Sequence, residues 1–310
     1  DWDFVLKYPR TGEFRSAIIQ RDLTGDGQEE TLVFYQKGQE SAAITVLFLQ
    51  GGQGGWSWFG SDQKQAAQID RVEFADLDGD GVDEVVVGWG NAVTGRSELS
   101  VYGYDEEQGH LVQIGEAETS QLTYNEMVLA DFDGDGSAEI FTASLGTAQS
   151  AANAKLFGVS PQRRFEVYSS VDLDRDVTQY QRVTVGTVDG FAMGVLLDGT
   201  TSSAQIVTEL VYWNAAEQVL HAPFENAVGN QTANLTARRV PVYSECRQGR
   251  LRFPILELMP GFAPDETAES AYLTHWYRYD PSQGIVYDGL EYVQPSDGYR
   301  LTLPQEWLLR

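Results

Sequence analysis

The sequence predicts an all-β protein built from repeated units, and three observations support this prediction. An acidic segment of nine residues occurs three times, at 22–30, 76–84 and 131–139. The starting positions 22, 76 and 131 are separated by 54 and then 55 residues, and such regular spacing is typical of repeat architectures. The residues between these segments form short runs rich in β-branched and aromatic side chains, with no helical periodicity.

The first two strands of each repeat are predicted to flank the acidic segment. Apolar stretches precede it at 16–20, 70–75 and 126–130. In the second repeat it is followed by the β-branched run Glu84–Trp89. Two further strands, at 97–104 and 110–114, are separated by the acidic turn at 105–109 and form a predicted hairpin. One repeat is therefore expected to contain four antiparallel strands.

The repeat pattern continues beyond residue 140 with weaker signals. Further strands are predicted at 156–159, 164–168, 183–188, 193–197, 209–213, 276–280 and 284–287. A fourth acidic loop is expected at Asp172, Asp174 and Asp176, with Val177 at the position that is glycine in the other loops. We treat it as a doubtful metal site for that reason. A fifth loop position at 244–249 has lost the ligand set.

Four-stranded antiparallel repeats without helices are typical of β-propeller blades. We predict one β-propeller domain over 1–310 with five blades, and six blades as the alternative. The predicted repeats are 14–68, 69–122, 123–170, 171–235 and 236–310. The terminal segments 2–6 and 298–307 are strand-like. We expect both in one sheet, because an open ring would leave bare sheet edges.

The acidic segments carry the chemistry of a metal site. Oxygen side chains at positions 1, 3 and 5, a glycine at position 6 and a carboxylate at position 9 suit Ca²⁺, which binds six to eight oxygens in a sharply folded loop. A solvated turn would also favour Asp and Gly, but three copies with matching positions favour a metal site. An EF-hand is excluded because position 12 is Val33, Val87 or Thr142, not Glu.

These segments resemble the FG-GAP or VCBS repeats of integrin α-chain propellers and of many secreted bacterial proteins. The resemblance covers residues 14 to about 220. It implies about three Ca²⁺ sites, each on a loop between adjacent strands of one blade. The implied site residues are Asp22, Thr24, Asp26, Gln28 and Glu30 in the first loop, Asp76, Asp78, Asp80, Val82 and Glu84 in the second, and Asp131, Asp133, Asp135, Ser137 and Glu139 in the third.

The longer layout is similar to clostridial-type lipoproteins that carry such repeats. The similarity lies in the segments 185–190, 276–280 and 298–307, and it implies no known activity. It implies an extracellular or cell-surface location. Because the chain begins at Asp1 and not at Met, we expect a leader or a lipid tether upstream.

Composition narrows the possible partners. The chain has 21 basic and 46 acidic residues and a formal net charge of −25, which disfavours binding to nucleic acid and to anionic membranes. No run of 18 or more apolar residues is present, so no transmembrane segment is predicted. The single cysteine, Cys246, excludes an internal disulfide. We expect this thiol to be buried or inert.

The sequence contains no recognisable catalytic motif. Its three histidines, His110, His221 and His275, fit neither a zinc pattern nor a nucleophilic triad. We expect them to be surface or packing residues. A pair of carboxylates for glycoside hydrolysis is not excluded, because the separation of two acids depends on the fold.

Aromatic residues give a hint of binding. Trp56 and Trp58 follow a glycine-rich turn, and a second group contains Tyr272, Trp276, Tyr277 and Tyr279. Exposed aromatic rings could stack on a sugar or hold a peptide, although packing between blades is the favoured interpretation. We predict a non-enzymatic, calcium-stabilised propeller of the bacterial cell envelope that binds a protein or a carbohydrate. The alternative is a polysaccharide-active hydrolase or lyase that uses a propeller funnel.

Overall fold

The computed structural model describes residues 3–38, 42–115, 122–160, 162–224, 235–263 and 271–304. These residues form 23 β-strands in antiparallel sheets, which confirms the predicted all-β class. The chain divides into two compact units. The first contains residues 1–142 and 156–168, and the second contains residues 143–155 and 169–310.

The first sheet has four strand positions. Its strands are β1 (Phe4–Leu6), β2 (Ile18–Arg21), β3 (Glu30–Lys37), β4 (Ala43–Gly52) and β5 (Gly55–Gln65). Both β1 and β2 pair with β3, β2 with its first half and β1 with its second half. The short strands therefore share one edge of β3, and β4 and β5 follow on its other side.

The second sheet also has four strand positions, but its two short strands share an edge of the third long strand and not of the first. Its strands are β6 (Gln68–Ala75), β7 (Glu84–Asn91), β8 (Arg96–Asp105), β9 (His110–Gln113) and β10 (Thr123–Tyr124). Here β9 and β10 pair with opposite ends of β8. The turn and return strand predicted at 105–114 are present as the β8–β9 hairpin.

The third sheet contains four strands in chain order. They are β11 (Glu126–Ala130), β12 (Glu139–Ser144), β13 (Asn153–Val159) and β14 (Phe165–Asp172). The sequence placed the first of these at the same residues, and it placed the last two to within four residues at each end.

The second unit contains a nine-stranded sheet made of two antiparallel groups. The first group is β15 (Val177–Thr187), β16 (Met193–Thr201), β17 (Ile206–Asn214) and β18 (Val219–His221). The second group is β19 (Glu245–Arg247), β20 (Arg250–Leu258), β21 (Tyr272–Asp280), β22 (Gly284–Gln294) and β23 (Tyr299–Leu303). A single parallel pair, Thr187 with Arg250, joins the two groups. The described residues thus form five groups of four or five antiparallel strands, as in a β-propeller-like fold.

Strand β7 shows how successive sheets share their cores. Val85 and Val87 belong to an apolar cluster that includes Phe34 and Phe48 of the first sheet. Val86 belongs to a second cluster, which includes Ile140 of the third sheet. Because neighbouring side chains of a strand point to opposite faces, β7 is buried on both sides. Its continuous β-branched run is the sequence signal of that double burial.

Three expectations need correction or completion. The Asp172–Asp176 segment connects β14 to β15, so it does not lie between the first two strands of a sheet as the other acidic loops do. The 244–249 segment is the β19–β20 hairpin. Among the described residues, the terminal strands do not share a sheet, since β1 pairs with β3 and β23 pairs with β22. Residue 2 and residues 305–307 of the predicted terminal strands lie outside the described residues.

Candidate metal centre

Each acidic segment forms the loop between the first and second strands of its sheet. The three loops connect β2 to β3, β6 to β7 and β11 to β12. The residue at position 9 is the first residue of the second strand, and it is buried in all three cases. The segments therefore occupy equivalent positions in the first three sheets.

The loop at 76–84 is wound around the side chain of its first residue. Asp76 Oδ1 accepts a hydrogen bond from the Gly79 N–H at 2.7 Å, and Asp76 Oδ2 accepts one from the Gly81 N–H at 2.9 Å. The Leu77 N–H donates to Glu84 Oε2 at 2.9 Å. The first and ninth residues thus fix the backbone of the loop between two strands.

Glycines at positions 4 and 6 make this winding possible. All six have φ values between +73° and +99°, a region that other residues enter at a cost. They are Gly25, Gly27, Gly79, Gly81, Gly134 and Gly136. A side chain at position 6 would be strained even though no atom lies within 4 Å of the added Cβ.

The other two loops contain the same hydrogen bonds. In the first loop, Asp22 accepts from Gly25 and Gly27 at 2.8 and 2.9 Å, and Glu30 Oε2 accepts from Leu23 at 2.9 Å. The third loop repeats them around its first and ninth residues: Asp131 accepts from Gly134 and Gly136 at 2.7 and 3.2 Å, and Glu139 Oε2 accepts from Phe132 at 2.7 Å. A shared backbone framework therefore underlies the repeated sequence.

Carboxylates converge in the second and third loops. One ligand oxygen from each of Asp76, Asp78 and Glu84 lies within 4.8 Å of the other two. The third loop contains the matching group, whose members are Asp131, Asp133 and Glu139. These are positions 1, 3 and 9 of the motif. Such groups could hold a metal ion.

The residues at positions 5 and 7 lie outside these converging groups and bond to each other. Asp80 and Asp135 are not part of the clusters, and each accepts a backbone hydrogen bond from position 7, at 2.8 Å from Val82 and 2.7 Å from Ser137. In the first loop the same bond joins Gln28 to Asp26 at 2.7 Å. Position 7 thus acts through its backbone, which explains why Gln, Val and Ser are all found there.

The first loop offers two buried oxygens without hydrogen-bond partners. Its third residue is Thr24, and Thr24 Oγ1 and Glu30 Oε1 are both buried and accept or donate no hydrogen bond within the described part of the chain. A buried polar atom without a partner is costly. A cation bound at this loop would satisfy both oxygens.

The buried glutamates at position 9 of the loops have raised pKa values. Burial raises the pKa of Glu84 to about 8, and repulsion from Asp78 and Asp80 adds to this effect. Burial likewise raises the pKa of Glu139 to about 7, together with repulsion from Asp133 and Asp135. The pKa of Glu30 is also raised, mainly by burial. Without a counter-ion, ionisation of these side chains costs free energy.

The donor set fits a hard divalent cation. Within these loops, the side-chain donors are all carboxylate or hydroxyl oxygens, which suit Ca²⁺ or Mg²⁺ and not the softer transition metals. Asp76, Asp78 and Glu84 would hold the ion in the second loop, and its charge would cancel the repulsion among them. The unpartnered oxygens of the first loop and the converging groups of the other two meet the same requirement.

The fourth acidic segment is built differently. Asp174 is buried, and its N–H donates to Glu209 on β17 at 2.6 Å. Asp174 Oδ1 accepts from the Asp176 N–H at 2.8 Å, whereas Asp172 is exposed at the end of β14. Among the described residues, the three aspartates do not form a group of converging carboxylates.

One family model matches part of the chain. Residues 22–87 match the FG-GAP-like repeat. This match begins at the first residue of the first acidic loop and ends in β7, just after the second loop. The third loop lies beyond it, but its backbone hydrogen bonds are those of the first two FG-GAP-like loops. No curated protein matches the chain.

The histidines lie apart from these loops. His221 and His275 each contact a glutamate, Glu217 at 2.8 Å and Glu257 at 2.6 Å. Cys246 is exposed, so the expectation of a buried thiol is wrong and only that of an inert one remains a prediction. Among the described residues, the structure contains no helix with the length and apolar character needed to span a bilayer.

The two aromatic groups have opposite environments. Trp276 is fully buried, and its Nε1 donates to Glu291 at 2.9 Å. Trp56 and Trp58 are exposed, at 55% and 59% of their surfaces. The interpretation that these two pack between blades is therefore wrong. Their position on β5, the last strand of its sheet, explains the exposure, and sequence composition alone does not reveal which strand lies at an edge.

Proposed function

We propose that the chain is a calcium-stabilised β-propeller of five blades that acts as a non-enzymatic binding module. Each of the five groups of antiparallel strands would form one blade. The calcium part of the proposal is supported by the three wound loops, by their converging or unpartnered oxygens and by the raised pKa values of Glu30, Glu84 and Glu139. FG-GAP repeats are typical of extracellular proteins, which supports a location outside the cell or at the surface of the bacterial envelope.

The binding part of the proposal rests on the pair Trp56 and Trp58. These residues are two positions apart on β5, so both side chains lie on one face of the strand. The Trp56 ring lies over Gly51, its partner on β4, and an added Cβ at Gly51 would be only 3.4 Å from it. The Trp58 ring lies 5.2 Å from that of His110.

Both rings are thus supported on one side and exposed on the other. A tryptophan ring that is already positioned binds a partner with little loss of side-chain freedom. Its flat apolar face suits the C–H face of a sugar or an apolar side chain of a protein. We propose that this tryptophan pair is where a carbohydrate or protein ligand contacts the module.

The test compares a Trp56→Ala, Trp58→Ala variant with the unchanged protein on an array of glycans and of envelope proteins in the presence of Ca²⁺. Tyr8→Ala is the matched control, because Tyr8 is an aromatic residue of similar exposure, 58%, in the same unit. We expect binding by the unchanged protein and the control, and loss of at least about tenfold in affinity in the double variant. Equal binding by all three proteins would reject this contact site.

The enzymatic alternative requires two close carboxylates in one pocket. In the second unit, one cavity is lined by Glu245 and another by Asp288, each without a second acidic residue. No specific observation therefore favours the hydrolase or lyase, and it remains an untested alternative.

A further inference from the structure

The β19–β20 hairpin places two arginines directly opposite each other. Its two turn residues, Gln248 and Gly249, have φ values of 53° and 80°, as a type I′ turn requires. The register therefore pairs Arg247 with Arg250. Like charges at directly opposed positions of two strands are destabilising, so this arrangement costs stability in the absence of a counter-charge.

The turn is held in place by β15. The Gly249 carbonyl oxygen accepts two hydrogen bonds from Thr187, one from its N–H at 2.8 Å and one from its Oγ1 at 2.9 Å. The guanidinium group of Arg250 lies next to Gly190, where an added Cβ would be 3.1 Å from Arg250 Nη2. The position of the hairpin end is therefore fixed before any ligand binds.

A buried arginine lies behind this pair on the same face of β20. Arg252 is fully buried over the Trp276 ring, 4.2 Å from its centroid. It contacts Glu245, Asp288 Oδ2 at 3.5 Å and Glu291 Oε1 at 3.1 Å. These carboxylates are in turn shared with three other arginines: Arg300 contacts Glu245, Arg278 contacts Asp288 and Arg247 contacts Glu291.

The cluster has more guanidinium groups than carboxylates. Its members are Arg247, Arg250, Arg252, Arg278 and Arg300 with Glu245, Asp288 and Glu291. Arg250 forms no ion pair with any described residue. An excess of positive charge in a chain with a net charge of −25 is a local exception to the surface as a whole.

This excess charge faces a cavity. The cavity has a volume of about 680 Å³ and is lined by Arg247, Gln248, Arg250, Arg278 and Asp288. Arg278 donates its Nε to Asp288 at 2.6 Å, and its terminal amino groups have no hydrogen-bond partner among the described residues. The volume is in the range of sites for small ligands.

We infer that this arginine-lined cavity is a binding site for an oxyanionic group, that is, a phosphate, sulfate or carboxylate group of a small ligand. Arg247, Arg250 and Arg278 contact the anion, since planar guanidinium groups donate paired hydrogen bonds to such oxygens. Arg252 and the three carboxylates are positioning residues, which hold Arg247 and Arg278 in place through their ion pairs. The inference does not depend on the metal loops or on the tryptophan pair.

The test titrates the full chain by calorimetry at low ionic strength with three separate probes: inorganic phosphate, inorganic sulfate and glucuronate. A response to the inorganic ions points to a phosphate or sulfate ligand, whereas a preference for glucuronate points to a carboxylated sugar. Arg250→Gln should weaken binding at least about tenfold. Arg164→Gln, an exposed site in the first unit with the same change of charge, should leave affinity unchanged.

Melting temperatures separate a binding role from a structural one. Because Arg250 faces Arg247 without an ion pair, we expect Arg250→Gln to melt at the same temperature as the unchanged protein or higher. Arg247→Gln is the second variant, and it should also weaken binding. The inference is overturned if no probe binds at millimolar concentration, or if Arg164→Gln loses as much affinity as Arg250→Gln.

Discussion

The Leu77 N–H donates a hydrogen bond to the buried Glu84 side chain at 2.9 Å, which joins the second residue of an acidic loop to its ninth. The same bond links Leu23 to Glu30 and Phe132 to Glu139. It uses one carboxylate oxygen and leaves the other for a different partner. In the first loop this other oxygen, Glu30 Oε1, is buried without a hydrogen bond. A bound cation would satisfy this oxygen.

Calcium removal is expected to lower the melting temperature. A ligand that binds only the folded chain stabilises it by about 2.7 kcal/mol per site at about one hundred times its Kd, which corresponds to a shift of several degrees. Calorimetry of the protein in EGTA, and after Ca²⁺ is restored, measures this shift. Mg²⁺ at the same concentration is the comparison ion, since it demands a stricter octahedral geometry. Identical transitions in EGTA and Ca²⁺ would contradict the proposed sites.

Glu84→Gln is expected to separate metal binding from loop structure. The amide oxygen still accepts from the Leu77 N–H, so the loop is retained, but the buried negative charge is lost. We expect the metal-free variant to be at least as stable as the unchanged protein at pH 8, and its stabilisation by Ca²⁺ to be smaller. Glu107→Gln, at an exposed turn, is the control and should change neither quantity. Full calcium stabilisation in Glu84→Gln would exclude this loop as a site.

The free energy of unfolding should depend on pH in the absence of the ion and much less in its presence. Glu84 and Glu139 have folded-state pKa values of about 8 and about 7, above the ordinary value of 4.5. Between these limits the folded chain binds more protons than the unfolded chain, so its free energy of unfolding falls as pH rises. Ca²⁺ binds the deprotonated carboxylates and should remove this fall.

Urea denaturation across that pH window, in EGTA and in Ca²⁺, measures the effect. A variant with both Glu84→Gln and Glu139→Gln serves as control, because its metal-free stability should vary less with pH. If the metal-free protein becomes more stable as pH rises from 4.5 towards 8, the assignment of the pKa shifts is wrong.

Gly136→Ala is expected to destabilise the third loop through its backbone alone. Gly136 has a φ value of +99° and no atom within 4 Å of an added Cβ, so the change brings strain without a clash. We expect a loss of about 1 kcal/mol. Gly54→Ala is the matched control, since this glycine also has open space but no positive φ. Equal stabilities for the two variants in urea denaturation would show that the loop backbone tolerates the change.

Features that depend on local sequence were predicted well. The strands flanking the acidic loops follow from β-branched runs next to Asp and Gly, and the β7 run at residues 84–91 is a clear example. Positions 1, 3 and 9 of the motif do converge in the second and third loops. The position of Asp80 was not predictable, because its carboxylate accepts a hydrogen bond from the Val82 N–H and this choice depends on the loop conformation.

Features that depend on contacts distant in sequence were not predicted. The Asp172–Asp176 segment has the composition of a metal loop, but its position between β14 and β15 is set by strand pairing. Trp58 is exposed because β5 ends its sheet, whereas Trp276 is buried because its strand is central. The arginine cavity depends on the register of β19 with β20 and on Thr187 of β15, so composition gave no sign of it.

The hydrogen bonds from the glycine N–H groups to Asp22, Asp76 and Asp131 have a kinetic consequence. These hydrogen bonds fix the conformation of each acidic loop without the ion. The loop is therefore already formed when the ion binds. The rate of ion binding would then be limited by the loss of water from the ion. The far-ultraviolet circular dichroism spectrum would barely change when the ion binds. The ion would then bind late in folding, after the sheets have formed, and would stabilise turns that are already wound.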